Sequence, residues 1–176
     1  MGKKIILASK SKVRKQILDK YGLNCEVKPS NVDEDVVKES LEKHKASPEE
    51  VSKNLAELKA NKVSQKFTDE FVIGADSVID LKGKVISKPT DRDQAYEILK
   101  SLNGETHYLI SSVCISKGGS MIWNFTDRAS LTMKNMTEME MREYLSKISD
   151  EALYAYNVYQ IEGLGRSLFS KIEGNE

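Results

Sequence analysis

The residues of this chain that are best suited to chemistry are carboxylates and cations that lie far apart in the sequence. The set comprises two acids, three cations and one hydroxyl: Ser9, Arg14, Glu34, Lys59, Asp76 and Lys88. No cysteine–histidine or serine–histidine set accompanies them, so a protein nucleophile with its own base is not indicated. Acids can hold Mg²⁺ or activate water, and cations can bind phosphate oxygens. These residue types favour a metal-assisted attack of water on a phosphate, provided that the fold brings them together.

One predicted hairpin would carry both Asp76 and Lys88. An apolar run that begins at Phe71 leads through two small residues to Asp76, and residues 82–83 form a turn signal between two further apolar runs. The returning strand ends just before Lys88. We expect the acid and the lysine to be held at strand ends, where metal binding or water activation is possible. The alternative is a hairpin whose polar ends are simply solvated.

The N-terminal segment predicts a strand followed by a helix, with hydroxyls at the junction. Residues 4–8 are apolar enough for a buried strand, and residues 12–21 have helical spacing. Ser9 and Ser11 lie between them, and either can cap the helix, whose free N–H groups and dipole favour an anion. Arg14 could reach the same anion. The alternative is that the serines only cap, because no glycine-rich phosphate loop is present.

Glu34 belongs to an acidic segment at residues 33–35. Consecutive acids usually form a solvated surface or the first turn of a helix, whose dipole they complement. The alternative is a site for a divalent metal or a substrate hydroxyl.

Lys59 lies on a long predicted helix that begins with a strong capping signal at residues 47–50 and continues to about residue 66. Lysines beside an apolar stripe usually extend over the core, and they point into a cleft less often. The predicted apolar face consists of Val51, Leu55, Leu58 and Val63.

The remainder of the chain alternates helical and strand patterns, which predicts an α/β fold. We expect a helix at about 90–102, two long strands at 106–116 and 121–133, a helix at 137–148 and a last strand at 168–172. The methionines at positions 133, 136, 139 and 141 are predicted to fill the core.

Composition limits the class of protein. The 176 residues contain 27 basic and 27 acidic side chains, and this balance argues against a dedicated nucleic-acid or membrane-surface binder. No apolar run approaches the roughly 20 residues of a membrane span. Cys25 and Cys114 show no metal or redox spacing, so two buried thiols in a cytoplasmic protein are expected.

Several short motifs occur in one order along nearly the whole chain. They are LASKSKVR at 7–14, VDE at 32–34, LKA at 58–60, VIGADS at 72–77, SKP at 87–89 and LNGETH at 102–107. Together they resemble the Maf family of nucleoside triphosphate pyrophosphatases. Two departures lie in the first motif, where Lys12 and Val13 replace the usual proline and arginine.

This resemblance implies a twisted, mixed α/β sheet in two lobes with a central cleft, as in the inosine triphosphate pyrophosphatases. It implies hydrolysis of a nucleoside triphosphate to the monophosphate and pyrophosphate with Mg²⁺ or Mn²⁺. Ser9 and Arg14 would bind phosphate, with Ser11 beside them, and Asp76 would be the proton acceptor. Glu34, Lys59 and Lys88 match the other active-site positions, with Glu34 and Asp76 as candidate metal ligands. A cytoplasmic protein and a possible homodimer are also implied.

Residues 160–163, QIEG, resemble the subgroup associated with 7-methyl-GTP and with cytidine or modified uridine nucleotides. Glu162 is therefore predicted to contact the base. The alternatives are a dTTP/UTP pyrophosphatase and a non-catalytic, septation-linked regulatory protein. We expect residues 1–176 to form a single Maf-like domain that lacks the family's usual C-terminal strand and helix.

Overall fold

The computed structural model describes residues 4–175, which form seven strands, six α-helices and a short 3₁₀ helix. The strands are β1 (Ile5–Leu7), β2 (Cys25–Val27), β3 (Phe71–Leu81), β4 (Lys84–Ile86), β5 (Thr106–Lys117), β6 (Ser120–Met133) and β7 (Phe169–Glu173). The helices are α1 (Lys12–Lys20), α2 (Glu34–Lys43), α3 (Pro48–Ser64), α4 (Arg92–Leu102), α5 (Glu138–Ser146) and α6 (Asp150–Tyr156), and the 3₁₀ helix is Leu164–Leu168.

The strands form one mixed sheet. Its order is β2-β1-β3-β5-β6-β7, and β4 pairs with β3 beside this path. Strand β1 runs parallel to both β2 and β3, whereas β4 is antiparallel to β3 and β7 is antiparallel to β6. The mixed α/β sheet confirms the predicted fold class.

The chain divides into two compact units. Residues 4–77 and 110–127 belong to the first, and residues 78–109 and 128–175 belong to the second. The single-domain assignment and the central cleft stay predictions. The core of the first unit consists of Ile6, Ala8, Ala56, Ala60, Val63, Val72 and Cys114. The larger core of the second unit includes Leu99, Leu131 and Leu153, which are fully buried.

Local signals place most element boundaries. The Lys82–Gly83 turn of the β3–β4 hairpin has positive φ at both residues, 53° and 84°, which is the backbone that a two-residue hairpin of this kind requires. Ser47 and Glu50 form the predicted capping box of α3.

Cys25 and Cys114 are buried free thiols, as expected. In residues 4–175, no helix combines the length and apolar character needed to cross a bilayer.

In the C-terminal third, one helix was missed and one expectation is wrong. Helix α6 was not predicted, although Ser149 caps it by accepting a hydrogen bond from the N–H of Ala152 and Leu153 is fully buried. Met139 does not fill the core, because it is 79% exposed on α5, whereas Met133 and Met141 are buried. A residue's position on a short amphipathic helix depends on the partner surface, which local sequence does not contain.

A buried polar pair lies inside the apolar core of the second unit. The Nε2 atom of His107 and the hydroxyl of Tyr159 are joined by a 2.8 Å hydrogen bond. The Phe169 ring packs edge-on against Tyr159, with the ring centroids 4.9 Å apart. His107 is completely buried, and this burial lowers its pKa from 6.5 to about 4. The histidine is therefore neutral in the folded protein at physiological pH.

This burial predicts that acid destabilises the fold through His107. Between pH 6.5 and 4 the unfolded chain binds a proton that the folded chain does not, so stability is lost as the pH falls through this window. The shift corresponds to about 3 kcal/mol at most. Urea unfolding at pH 7 and pH 4.5 should show a smaller loss for His107→Gln than for the wild type. The exposed His44 provides the control variant, His44→Gln, and equal losses in all three proteins would contradict the prediction.

Candidate active site

The β1–α1 junction brings Ser9 and Arg14 together. Ser11 is the N-cap of α1, since its hydroxyl accepts a 3.3 Å hydrogen bond from the Arg14 backbone N–H. The Ser9 hydroxyl accepts from Nη1 of Arg14 and from the Ser11 N–H, both at 3.2 Å. The two serines therefore have different tasks: Ser11 caps the helix, whereas Ser9 orients the guanidinium.

A lysine ammonium joins two carboxylates at the centre of the same unit. Nζ of Lys59 lies 2.8 Å from Oδ1 of Asp76 and 2.7 Å from Oε1 of Glu34. The Lys59 and Asp76 side chains are only 6% and 5% exposed, and Glu34 is half-buried. The structure thus brings together three residues that are dispersed over 43 positions of sequence, from 34 to 76.

The prediction that Asp76 lies at the end of a strand is wrong. It is the sixth residue of the eleven-residue strand β3, which continues to Leu81. Side chains two apart share a face of a strand, so Val72, Gly74 and Asp76 point to the same side, and all three are buried. Lys88 is also not at a strand end, because β4 ends at Ile86.

Gly74 lets helix α3 lie directly against β3. A Cβ atom at this position would be 2.3 Å from the Ala56 carbonyl oxygen and 2.7 Å from the Ala60 nitrogen. Any larger residue would therefore push the helix away from the strand. Lys59 lies beside Ala60 on α3, so this close approach sets its ammonium at Asp76.

Of the four residues predicted for the apolar face of α3, only Leu58 is not buried, and the buried face also includes residues that were not predicted, Lys59 among them. Leu58 is 40% exposed, whereas Lys59 is 5% exposed. Lys59 therefore does not extend over the surface of the core, which is the usual arrangement of a lysine beside an apolar stripe. Lys59 belongs to the buried face of α3, where it pairs with Asp76, whereas Leu58 does not.

Glu34 is the first residue of α2 rather than part of a loop. Asp33 caps this helix by accepting a 3.2 Å hydrogen bond from the Val36 N–H. The helix-terminus interpretation of the acidic segment is confirmed, because Asp33 caps α2 and Glu34 and Asp35 lie in its first turn. Glu34 also forms an ion pair with Lys59, and the metal or hydroxyl site stays a prediction.

Burial raises the pKa of Asp76 above its ordinary value of 3.8. The adjacent Lys59 ammonium opposes this shift, the Glu34 carboxylate adds to it, and Arg14 lowers the pKa slightly from farther away. Asp76 is thus a stronger base than an exposed aspartate, as a proton acceptor near neutral pH requires. Its Oδ2 atom is buried and has no hydrogen-bond partner among residues 4–175.

The carboxylates of Asp76 and Glu34 are suited to a divalent cation that takes most of its ligands from the substrate. Within residues 4–175 no group of three or more acidic, histidine or cysteine side chains forms a complete metal cage. Mg²⁺ commonly uses only one or two carboxylates and completes its shell with phosphate oxygens and water. The unpartnered Asp76 Oδ2 and the neighbouring Glu34 carboxylate meet that requirement.

Ser52 is a site residue that the sequence analysis missed. Its hydroxyl is fully buried and donates a 3.1 Å hydrogen bond to the backbone carbonyl of Asp76. Ser52 precedes Lys59 by seven residues, so both occupy the same face of α3. The available signal was its helical spacing, three residues before Leu55 of the predicted apolar face.

Lys88 and Glu162 lie in the second compact unit, and the other predicted site residues lie in the first. Lys88 is exposed and follows β4 by two residues. Glu162 is exposed in the turn before the 3₁₀ helix. Their roles at the site stay predictions.

Comparison with known proteins identifies the family. The sequence profile described as Maf-like protein matches residues 4–176. The chain belongs to this family. The Maf-like protein is 72% identical over 176 residues to a protein of Pelagibacter ubique (strain HTCC1062) named nucleoside triphosphate pyrophosphatase, covering all of this chain and 90% of that one. It is 39% identical over 175 residues to a protein of Rhizobium etli named 7-methyl-GTP pyrophosphatase, covering 99% of this chain and 88% of that one.

A solved structure described as that of the Staphylococcus aureus Ham1 protein aligns with 74% of this chain and 72% of its own. The TM-score is 0.47 and the sequence identity is 16%. At this level the likeness carries no weight for fold or function.

The buried ion pair predicts a large cost when its cation is removed. Lys59→Met keeps the length of the side chain but leaves the Asp76 carboxylate buried without its partner, which typically costs about 3–5 kcal/mol. Urea unfolding at pH 7 measures this loss. Lys53→Met on the same helix is the control, because Lys53 forms an exposed pair with Glu49 that is worth at most about 1 kcal/mol. Similar losses in the two variants would show that the buried pair is not what stabilises the site.

Proposed function

We propose that this Maf-like protein hydrolyses a nucleoside triphosphate to the monophosphate and pyrophosphate. The observation that supports this most is the buried Asp76 carboxylate, with one oxygen on Lys59 and the other without a partner. Arg14 and Ser9 lie in the same unit and supply a cation and a hydroxyl for phosphate oxygens. The relative with 72% identity is named for this activity.

The reaction can be assigned to the residues as follows. Asp76 accepts a proton from water, and the water oxygen forms a bond to the α-phosphorus as the bond to the pyrophosphate oxygen breaks. Arg14 binds phosphate oxygens, and its guanidinium is oriented for this by Ser9. Lys59 keeps Asp76 ionised and in place, and Lys88 is proposed as a further phosphate contact.

Glu34 and Asp76 would hold a divalent cation, Mg²⁺ or Mn²⁺. When bound, such an ion neutralises charge on the phosphates and polarises the phosphorus–oxygen bonds. The protein would contribute one or two carboxylates, and the substrate would contribute the other ligands.

Asp76→Asn tests the assignment of the base. The amide keeps the size of the side chain and cannot accept the proton, so pyrophosphate release should fall by roughly 10²–10⁴-fold. Because burial raises the pKa of Asp76, the wild-type kcat/KM should rise with pH through a value above 3.8, and this acidic limb should be absent in the variant. Pyrophosphate release from a panel of nucleotides gives both quantities.

The matched control is Asp69→Asn, which changes an exposed carboxylate in the same unit. Full activity of a folded Asp76→Asn protein would refute the assignment. If wild type releases no pyrophosphate from any nucleotide but still binds them, the regulatory alternative replaces catalysis.

The base of the substrate is proposed to be guanine of the 7-methylated type, or cytosine. An ionised Glu162 offers only acceptors, which suit the ring N–H and amine of guanine or the amine of cytosine. Uracil and thymine present carbonyls beside one N–H, and a carboxylate would repel those carbonyls. The Rhizobium etli relative named 7-methyl-GTP pyrophosphatase supports this preference.

Glu162→Gln should shift the preference toward dTTP and UTP, because an amide offers both a donor and an acceptor. The measurement is kcat/KM for 7-methyl-GTP, CTP, UTP and dTTP on both proteins. Glu97→Gln, an exposed acid in the same unit, is the control. An identical ranking in wild type and Glu162→Gln, or a wild type that prefers dTTP, would refute base recognition by Glu162.

A further inference from the structure

A cavity lies in the first unit, between the segment after β2 and the C-terminal half of α3. Its volume is about 330 Å³. Lys28, Ser30 and Asn31 line it on the β2 side, and Lys62, Lys66 and Phe67 line it on the α3 side. None of the residues assigned to catalysis or phosphate binding lines this cavity, which we call the lysine pocket.

The lysine pocket carries an excess of positive charge. No lining residue is acidic, and three are lysines. Lys28 lies 2.6 Å from Glu26, but Lys4 shares that carboxylate, so one negative charge serves two ammonium groups. Within residues 4–175, Lys62 donates only to the backbone carbonyl of Asn31, at 2.9 Å, and no carboxylate neutralises its charge.

Lys66 completes the cationic rim. Within residues 4–175 its ammonium forms no ion pair and no hydrogen bond. The hydroxyl of Ser30 likewise has no hydrogen-bond partner in the described part of the chain. The pocket therefore contains two polar groups, the Lys66 ammonium and the Ser30 hydroxyl, that form no hydrogen bond or ion pair with the described residues.

An aromatic ring supplies the apolar part of the pocket. Nζ of Lys28 lies over the Phe67 ring, 5.7 Å from its centroid, and the lining also includes Val63 and Pro29. A flat ring beside ammonium groups suits a ligand that has both a planar body and a phosphate. A free inorganic anion would leave the apolar wall uncovered.

We propose that the lysine pocket binds an organic phosphate of the size and chemistry of a nucleoside monophosphate. The phosphate contacts Lys62, Lys66 and Ser30, and the planar base lies against Phe67. Lysine binds phosphate as a point charge and donates up to three hydrogen bonds, so the two ammonium groups of Lys62 and Lys66 suit a doubly charged phosphate. Binding here requires none of the groups assigned to hydrolysis, so it stands or falls separately from the proposed activity.

The lysine pocket is connected to the catalytic carboxylates by short stretches of chain. Lys62 follows Lys59 by three residues on α3, and Asn31 precedes Glu34 by three residues. A phosphate that takes Lys62 away from the Asn31 carbonyl would act on the segment that leads into α2. A product-like nucleotide bound in the lysine pocket would therefore affect the catalytic carboxylates without occupying the active site.

Titration of the ¹⁵N-labelled protein with GMP, followed by two-dimensional NMR, tests the proposal. We expect saturable shifts of the Ser30, Asn31, Lys62 and Lys66 amides, whether or not the region around Arg14 and Asp76 also responds. Guanosine and inorganic phosphate, titrated separately, should each bind these amides at least about tenfold more weakly than GMP, since each lacks one half of the recognised group.

The double variant Lys62→Gln/Lys66→Gln should weaken GMP binding at the Ser30 and Asn31 amides by tenfold or more, as expected for removal of two phosphate contacts. The control is Lys53→Gln, an exposed lysine on the same helix, which should leave this binding unchanged.

The lysine-pocket assignment is overturned if GMP shifts only the amides near Arg14 and Asp76, if the double variant binds like wild type, or if phosphate alone binds as tightly as GMP. Pyrophosphate release, measured on the same proteins, separates the two proposals. Activity without pocket binding refutes only the pocket, and pocket binding without activity refutes only the proposed hydrolysis.

Discussion

The candidate site depends on one buried ammonium group. Lys59 contacts Asp76 at 2.8 Å and Glu34 at 2.7 Å, and so connects α3 to β3 and to the start of α2. Taking an ionised carboxylate out of water costs several kcal/mol unless a partner compensates. Lys59 is that partner, and its compensation is incomplete, because the pKa of Asp76 remains raised. The same contact therefore holds the acid in place and leaves it basic enough to accept a proton.

This contact in turn requires that a helix and a strand approach more closely than ordinary side chains permit. Gly74 on β3 faces Ala56 and Ala60 on α3, and no Cβ would fit at that glycine. Ser52, on the same helix face, fixes the Asp76 backbone through its carbonyl. The small residues therefore have a chemical consequence beyond packing: they set the distance across which a lysine can reach a carboxylate.

The two compact units hold different parts of the proposed chemistry. The carboxylate–lysine cluster and the Ser9–Arg14 pair are formed entirely within the first unit. Glu162, the proposed base contact, belongs to the second, where the neighbouring Tyr159 is held by the buried His107. Hydrolysis and recognition of the nucleotide base would thus depend on residues of separate cores. A substitution in the turn around Glu162 would then change the preferred nucleotide without disturbing Asp76.

Most of the elements and the residues of the motifs could be predicted from the sequence. Helix starts at Ser11 and Ser47 and the hairpin turn at residues 82–83 were predictable, because capping and turn geometry depend on residues within four positions. The ordered motifs identified the family, and with it the acids and cations of the site. Helix α6 was missed because it is short and its only clear local sign is the cap at Ser149.

The direction in which those residues face depends on the packing of the folded chain. Sequence could not show that Lys59 is buried and Leu58 exposed, that Asp76 lies within a strand rather than at its end, or that Ser52 supports it. The contacts behind these facts join distant positions: Lys59 and Asp76 differ by 17 residues, and Ser52 and Asp76 by 24. Burial of a charge is set by what faces it across the fold, and local periodicity contains no information about that partner.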